Sequence, residues 1–219
     1  MNILISGGAK NGKSYYAQTI ARQMATGGQP AQGQPAQGQP AENQHLPLYY
    51  VATMIPHDEE DHARIRRHIE ERAGWGFETL EQGTDLTALL RGPAGNPHAP
   101  TAATPDPAGS PHAPTAAAPD PAGVFLLDSV TALLSNEMFR PDGTIDHQAA
   151  ERVAKDCAEF ARATGNTVFV SDYIYSDAEK YDTITEEYRQ GLALIDRTLA
   201  QVCDRVIEVS AGVIEEWKP

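Results

Sequence analysis

NILISGGAKNGKS, residues 2–14, is the stretch of this 219-residue chain that decides its fold. Its first five residues are a short apolar run typical of a buried strand, and a helical pattern of apolar residues follows from Ser14 to Met24. The residues between are Gly7, Gly8, Ala9, Lys10, Asn11, Gly12, Lys13 and Ser14, which fit the pattern G-x-x-x-x-G-K-[ST]. The bland alternative is a glycine-rich turn that only joins a strand to a helix. The motif and its flanking elements favour a loop that binds the phosphates of ATP or GTP.

The residues of this loop predict separate chemical roles. Glycines let successive N–H groups point at phosphate oxygens, and the following helix adds its positive N-terminal end. Lys13 can reach the β- and γ-phosphates, while the Ser14 hydroxyl can bind Mg²⁺. An acidic partner commonly ends a neighbouring strand, and VFLLD (124–128) offers Asp128 as a second magnesium ligand. Asp128 could instead cap the helix that follows, and the sequence leaves both roles open.

Strand and helix patterns alternate along the rest of the chain. Strands are predicted at 48–53, 124–128, 167–171 and 205–209, and helices at 59–72, from about 130, at 146–163 and around 188–202. The alternation predicts an α/β fold with a mainly parallel sheet and helices on both faces, similar to the RecA-like fold of P-loop NTPases. Ligands on such sheets bind at the carboxyl ends of the strands.

Two low-complexity inserts interrupt this single predicted domain of residues 1–219. The first, at about 27–45, repeats Gly, Gln, Pro and Ala. The second, at about 92–123, carries the unit GNPHAPTAATPDPA (95–108) and then the near copy GSPHAPTAAAPDPA (109–122). Frequent proline and the lack of large apolar side chains oppose regular structure. We therefore expect disordered surface segments with no catalytic role.

Composition excludes several classes of function. A formal net charge of −13 argues against a nucleic-acid partner, because phosphate backbones require clustered Lys and Arg. Cys157 and Cys203 match no metal-ligand spacing, and Cys157 shares an apolar stripe with Val153 and Phe160, which predicts a buried thiol. No apolar run approaches the roughly 18 residues that span a bilayer. We expect a soluble, cytoplasmic protein.

One basic segment is unusual in so acidic a chain. ARIRRHIEER (63–72) places Arg64, His68 and Arg72 at helical spacing, hence on one face. Such a face suits a polyphosphate, with arginine for charge and histidine for nucleophilic or acid–base chemistry. Spacing alone favours the plainer alternative, a solvated helix whose charges pair with nearby acidic residues.

The segments GGAKNGKS (7–14), LYYVAT (48–53) and the helix through R-I-R-R-H together resemble the adenosylcobinamide kinase/adenosylcobinamide-phosphate guanylyltransferase family of cobalamin biosynthesis. The resemblance continues through ETLE (78–81), LLDSVTALLSNEMF (126–139) and RTLAQVCDRVIEVSAG (197–212), so it covers most of the chain outside the inserts. It implies an enzyme that phosphorylates adenosylcobinamide with ATP or GTP and then attaches GMP to that phosphate. It also implies a homo-oligomer, with the corrinoid and the nucleotide as small-molecule partners.

The resemblance carries functional residues onto this chain. His68 matches the histidine that carries GMP, with Lys13 as the second catalytic residue. The nucleotide contacts match the loop residues 7–14 together with Ala52, Thr53, Met54, Ile69, Glu70, Glu71, Arg72, Glu81 and Asp128. GTP, ATP and Mg²⁺ are the implied cofactors, and Ser14 and Asp128 the implied metal ligands.

One segment departs from the family. Members usually have a motif similar to N-E-V-G-x-G-I-V-P after the fourth strand, whereas this chain has SDYIYSDAEKYDTITEEYRQG (171–191), of which only Asp172 resembles the opening residue. This departure keeps open a member with only one of the two activities and a kinase for another small alcohol. A regulatory NTP-binding module also stays open, because a phosphate loop alone does not name a reaction.

Overall fold

The computed structural model describes residues 1–27, 45–56, 58–91, 118–175 and 178–218. The predicted inserts at 27–45 and 92–123 therefore lie mostly outside the described residues. The strands are β1 (Ile3–Gly7), β2 (Leu48–Ala52), β3 (Glu78–Glu81), β4 (Val124–Asp128), β5 (Thr167–Asp172), β6 (Arg205–Ser210) and β7 (Val213–Lys218). The helices are α1 (Lys13–Ala25), α2 (Glu59–Glu71), α3 (Ala88–Arg91), α4 (Val130–Met138), α5 (Ala149–Thr164) and α6 (Thr183–Val202).

All seven strands form one sheet in the order β3-β2-β4-β5-β1-β6-β7. Every neighbouring pair is parallel except β6 and β7, which are antiparallel. The predicted α/β, RecA-like, mainly parallel fold is confirmed, with β5 between the loop strand β1 and the strand β4 that ends in Asp128. The carboxyl ends of β4, β5 and β1 thus meet at one edge of the sheet.

Helices cover both faces, as the long apolar strand runs predicted. Leu4 of β1 faces the core beneath α4, α5 and α6, whereas Ile3 and Ile5 face α1, because side chains alternate along a strand. Cys157 is fully buried on the face covered by α5, which confirms the predicted buried thiol, and burial raises the pKa of that thiol. None of the described helices combines the length and apolarity needed to cross a membrane.

Strands β3 and β7 were not predicted from the sequence. Both lie at the edges of the sheet, so neither needs a continuous apolar run. The β3 sequence ETLE has no buried residue, and in β7 Val213 and Trp217 are mostly exposed. An edge strand is held mainly by backbone pairing with one neighbour, which leaves little signal in its side chains.

Candidate nucleotide-binding site

The phosphate loop joins β1 to α1 and is held in place by backbone geometry. Gly7 lies so close to β6 that an added Cβ would stand 2.1 Å from the Val209 carbonyl oxygen, a contact no other residue could accept. Gly12 adopts a left-handed conformation at φ 91° and precedes the first turn of α1. The Asn11 side chain donates a hydrogen bond to the same Val209 carbonyl, which ties the loop to β6. Gly8, Ala9 and Lys10 stay exposed between these anchors, open to a ligand.

Lys13 is the most tightly held charge of the loop. Its side chain is only 6% exposed, and its ammonium donates to the Gly8 carbonyl at 2.7 Å and to the Asp172 carboxylate at 2.9 Å. A buried ammonium needs such partners because desolvation of an unpaired charge is costly. Lys13 therefore lies across the inside of the loop, where phosphate oxygens can replace its present acceptors.

The register of the sheet aligns the predicted acidic residues along one edge. Glu81 pairs with Ala52, and Ala52 pairs in turn with Asp128, so the ends of β3, β2 and β4 are level. On the other side, Asp172 pairs with Gly7 at the start of the loop. The structure thus brings the predicted residues Glu81, Ala52 and Asp128 to the edge that carries the phosphate loop.

Asp128 is not the cap of α4. Ser129 is that cap, because its hydroxyl accepts a hydrogen bond from the Ala132 N–H. One Asp128 oxygen instead accepts from the Tyr50 hydroxyl at 3.0 Å. The alternative role left open by the sequence is thereby excluded, and the carboxylate is kept at the end of the sheet.

The basic face of α2 runs from solvent into this edge. Arg64 is exposed, His68 is half-buried, and Arg72 at the helix end is only 7% exposed. The Arg72 guanidinium lies 3.6 Å from the centre of the Tyr50 ring and donates to the Thr79 hydroxyl at 3.3 Å. This stacked cation and the Tyr50–Asp128 bond link the C-terminal end of α2 to the strand ends.

His68 lies one turn before this anchor. The α2 helix begins after Asp58, whose carboxylate accepts from the Asp61 N–H, and it ends at Arg72. Ile69 and Glu70 follow His68 on the same turn, Ile69 half-buried and Glu70 exposed. The histidine thus stands on a helix whose C-terminal end is fixed beside Asp128.

Two further predicted contact residues lie just beyond β2. Thr53 is fully buried, and its hydroxyl donates to the Ser129 carbonyl at 2.8 Å and accepts from the Ser129 N–H at 2.7 Å. The Asn136 amide donates to the Thr53 carbonyl. Thr53 therefore fixes the turn after β4 to the end of β2, while its neighbour Met54 is half-buried.

Asp172 is the site residue that sequence reasoning did not assign. It ends the apolar strand TVFVSD as Asp128 ends VFLLD, so the same signal was present. Its partner could not be read from the sequence, because Lys13 lies 159 residues away and meets Asp172 only through the β1–β5 pairing. The Asp172 N–H also donates to the Thr131 hydroxyl, which holds the end of β5 against α4.

The residues present fit a magnesium ion that arrives with a nucleotide. Ser14 offers a hydroxyl and Asp128 a carboxylate, the hard oxygen ligands that Mg²⁺ prefers. Among the described residues no group of three or more His, Cys, Asp or Glu side chains forms a metal cage. Mg²⁺ is commonly held by one or two protein oxygens and the phosphates of the substrate, and one hydroxyl and one carboxylate could supply the protein oxygens.

A known protein family matches most of the chain. The cobinamide kinase/cobinamide phosphate guanyltransferase family matches residues 3–99 and 110–216 of the chain. The chain belongs to this family. It is therefore related to nucleotide-binding transferases of cobalamin biosynthesis, a family of kinases and nucleotidyltransferases. The chain matches no curated protein.

Several solved structures are similar to the chain at low sequence identity. A KaiC-like protein of Pyrococcus horikoshii OT3 is 11% identical, with a TM-score of 0.45 over 99% of this chain and 78% of the other. Flagellar accessory protein FlaH of Methanocaldococcus jannaschii is 11% identical, with a TM-score of 0.43 over 99% and 77%. The ATPase domain of G40P is 10% identical, with a TM-score of 0.44 over 94% and 68%.

Proposed function

We propose that this protein phosphorylates adenosylcobinamide with ATP or GTP and then transfers GMP from GTP to the new phosphate through a GMP-histidine on His68. The observation that carries the proposal is the Arg72 guanidinium stacked on Tyr50, whose hydroxyl binds Asp128. This contact puts the helix of the histidine against the strand ends that flank the phosphate loop. Both chemistries can then use one nucleotide site.

The kinase step uses the loop and the end of β5. The acceptor hydroxyl oxygen attacks the γ-phosphorus, the bond from that phosphorus to the β–γ bridging oxygen breaks, and the nucleoside diphosphate leaves. Lys13 exchanges its Gly8 and Asp172 acceptors for phosphate oxygens and stabilises the negative charge of the transferring group. The Asp172 carboxylate, released from Lys13, accepts the hydroxyl proton.

The guanylyl step uses the histidine. A neutral imidazole nitrogen of His68 attacks the α-phosphorus of GTP, a P–N bond forms, and pyrophosphate leaves. The phosphate of the acceptor then attacks the same phosphorus, the P–N bond breaks, and the imidazole is returned. Arg72 supplies positive charge one turn from the histidine, beside the departing groups. Mg²⁺, held by Ser14 and Asp128, would neutralise phosphate charge in both steps.

A single-activity kinase is the second candidate. Lys13 is buried and paired in the loop, whereas His68 is half-exposed on a helix with no described buried side chain. The kinase groups are thus held more firmly than the nucleotidyl carrier. In that case the chain would phosphorylate the corrinoid without forming enzyme–GMP.

The deciding experiment incubates the protein with Mg²⁺ and α-labelled GTP and tests the denatured chain for acid-labile, alkali-stable label. We expect label on the wild type and on His62→Ala, but none on His68→Ala. His62 is the matched control because it is an exposed histidine on the same helix. A parallel assay measures transfer from γ-labelled GTP to adenosylcobinamide.

The outcomes separate the candidates. Label that depends on His68, together with corrinoid phosphorylation, supports both activities. Corrinoid phosphorylation without label leaves the kinase alone. Label that survives in His68→Ala contradicts the assignment of the nucleophile. Neither activity, with GTP still bound, would sink the enzymatic proposal and favour a regulatory NTP-binding module.

A further inference from the structure

A second concave site lies on the opposite face of the sheet from α1. An open cavity of about 510 Å³ is lined by α6, the β6–β7 pair and the residues that follow β5. Its walls are mainly apolar and aromatic, with Leu4, Ala193, Val206 and Trp217 among them. Cavities of this size and character commonly hold small organic molecules.

One oxygen of a buried carboxylate in this cavity has no described hydrogen-bond donor. Asp196 of α6 is 5% exposed, and its Oδ2 accepts from the Ser171 hydroxyl at 3.0 Å and from the Tyr175 hydroxyl at 2.9 Å. Its Oδ1 is buried and has no donor within the part of the chain that the structure describes. A buried acceptor left unsatisfied is costly, so a ligand that brings an N–H or O–H donor would be favoured here.

The cavity adjoins the phosphate loop. Ser6, on its wall, directly precedes Gly7, and the Tyr173 N–H donates to the Gly7 carbonyl at 2.9 Å. Asp172, which binds Lys13, lies between Ser171 and Tyr173, the former bonded to Asp196 and the latter on the cavity wall. A molecule in the cavity is therefore separated from the loop by one strand end.

The charges on the walls disfavour a second nucleotide. Arg189 donates to Glu186 at 2.7 Å and to the Ile174 carbonyl, so its charge is already engaged. Arg197 and Glu208 carry opposite charges on the wall, and Asp196 adds a carboxylate that is 5% exposed. An anionic ligand would be repelled by that carboxylate, whereas a neutral amide could donate to it.

We propose that this cavity binds the corrinoid acceptor of the kinase step by one edge, with a peripheral amide N–H donating to Asp196 Oδ1. This inference rests on the proposed function and adds the place of the second substrate. A corrinoid exceeds 510 Å³, so only an edge and its amide side chains enter the cavity, and the rest lies at the open mouth. The bound edge then lies next to Tyr173, directly after Asp172, whose carboxylate binds Lys13 of the phosphate loop.

Trp217 gives a direct binding signal because it lines the cavity. The chain has two tryptophans, and in a Trp75→Phe background quenching of Trp217 by adenosylcobinamide reports binding without nucleotide. Ala193→Phe fills the cavity, Asp196→Ala removes the acceptor, and Gln201→Phe is the control on an exposed position of α6. Circular dichroism checks that each variant is folded.

We expect both cavity variants to weaken corrinoid binding by about tenfold or more, the loss of at least one hydrogen bond or of equivalent contact. The KM for the corrinoid rises equally, while the KM for GTP and the Gln201→Phe values stay at the wild-type level. If Asp196→Ala does not fold, Ala193→Phe decides. Wild-type affinity and KM in Ala193→Phe would overturn the inference and leave the function intact. A wild type that neither binds nor phosphorylates the corrinoid would overturn the function and the inference together.

Discussion

The phosphate loop and the α2 helix are built in opposite ways. β1 is buried along most of its length, and the buried Lys13 ammonium donates two hydrogen bonds. The loop is held against β6 through Gly7 and Asn11. No α2 side chain that the structure describes is buried, and Arg72 at its C-terminal end is the firm contact with the sheet. The conformation of the loop is therefore fixed by the core, whereas the described contact that ties α2 to the sheet lies at Arg72. We expect changes at the loop lysine to impair both activities, and changes at Arg72 to affect mainly the step that uses the histidine.

The largest expected effect is at Lys13. Lys13→Met removes the charge that stabilises the transferring phosphoryl group and should lower both corrinoid phosphorylation and enzyme–GMP formation by about 10³-fold. Lys155→Met is the control, because Lys155 is an exposed lysine of α5 outside the phosphate loop. The two rates are measured with γ- and α-labelled GTP. Equal losses in the two lysine variants would show that the effect does not come from the loop.

The buried carboxylate of Asp196, bonded to Ser171 next to Asp172, tests the electrostatic cost of burial on the side of the sheet behind the phosphate loop. Burial is the main cause that raises the pKa of Asp196 to about 6; the hydrogen bonds from Ser171 and Tyr175 oppose the shift, and the nearby Asp172 charge adds to it. The folded pKa lies above the ordinary 3.8, so this group's contribution to stability is fully present below about pH 4 and lost as pH rises through 6.

Asp196→Asn removes this titration. The free energy of unfolding of the variant relative to wild type should therefore rise by up to about 3 kcal/mol between pH 4 and pH 7. Urea unfolding at several pH values measures the difference. A pH-independent difference would mean that the carboxylate ionises in the folded protein as easily as in water.

Arg72 tests the anchor of α2. Arg72→Leu removes the stacked cation over Tyr50 and should lower enzyme–GMP formation about tenfold, the equivalent of 1–2 kcal/mol, with a smaller effect on phosphorylation. Arg67→Leu, an exposed position on the same helix, is the matched control. Equal effects on both reactions would assign Arg72 to general phosphate binding instead of histidine placement.

The smallest effect is expected at an exposed arginine of α2. Arg66→Ala should change the free energy of unfolding by less than about 0.5 kcal/mol, as surface substitutions usually do. Urea unfolding measures it. A larger loss would show that the helix is held by more of its surface than Arg72 and would weaken the contrast with the loop.

Most of the fold followed from patterns along the chain. The four long apolar strand runs, the loop motif and the α5 stripe with Cys157 predicted a parallel sheet covered on both faces, and the structure confirms it. The edge strands β3 and β7 escaped prediction because an edge needs few buried side chains. The start of α6 at Thr183, after the Asp182 cap, also lay before the predicted helix.

By itself, the sequence determined the phosphate loop, since its function depends on local backbone conformation and on residues adjacent in the chain. It also determined that Arg64, His68 and Arg72 share a face, because helical spacing is local. Only the tertiary structure decided that Lys13 meets Asp172, that Arg72 reaches Asp128 through Tyr50, and that Asp196 faces a cavity behind the loop. These contacts depend on strand order and register, which arise from packing of the whole sheet and leave no mark in any single segment.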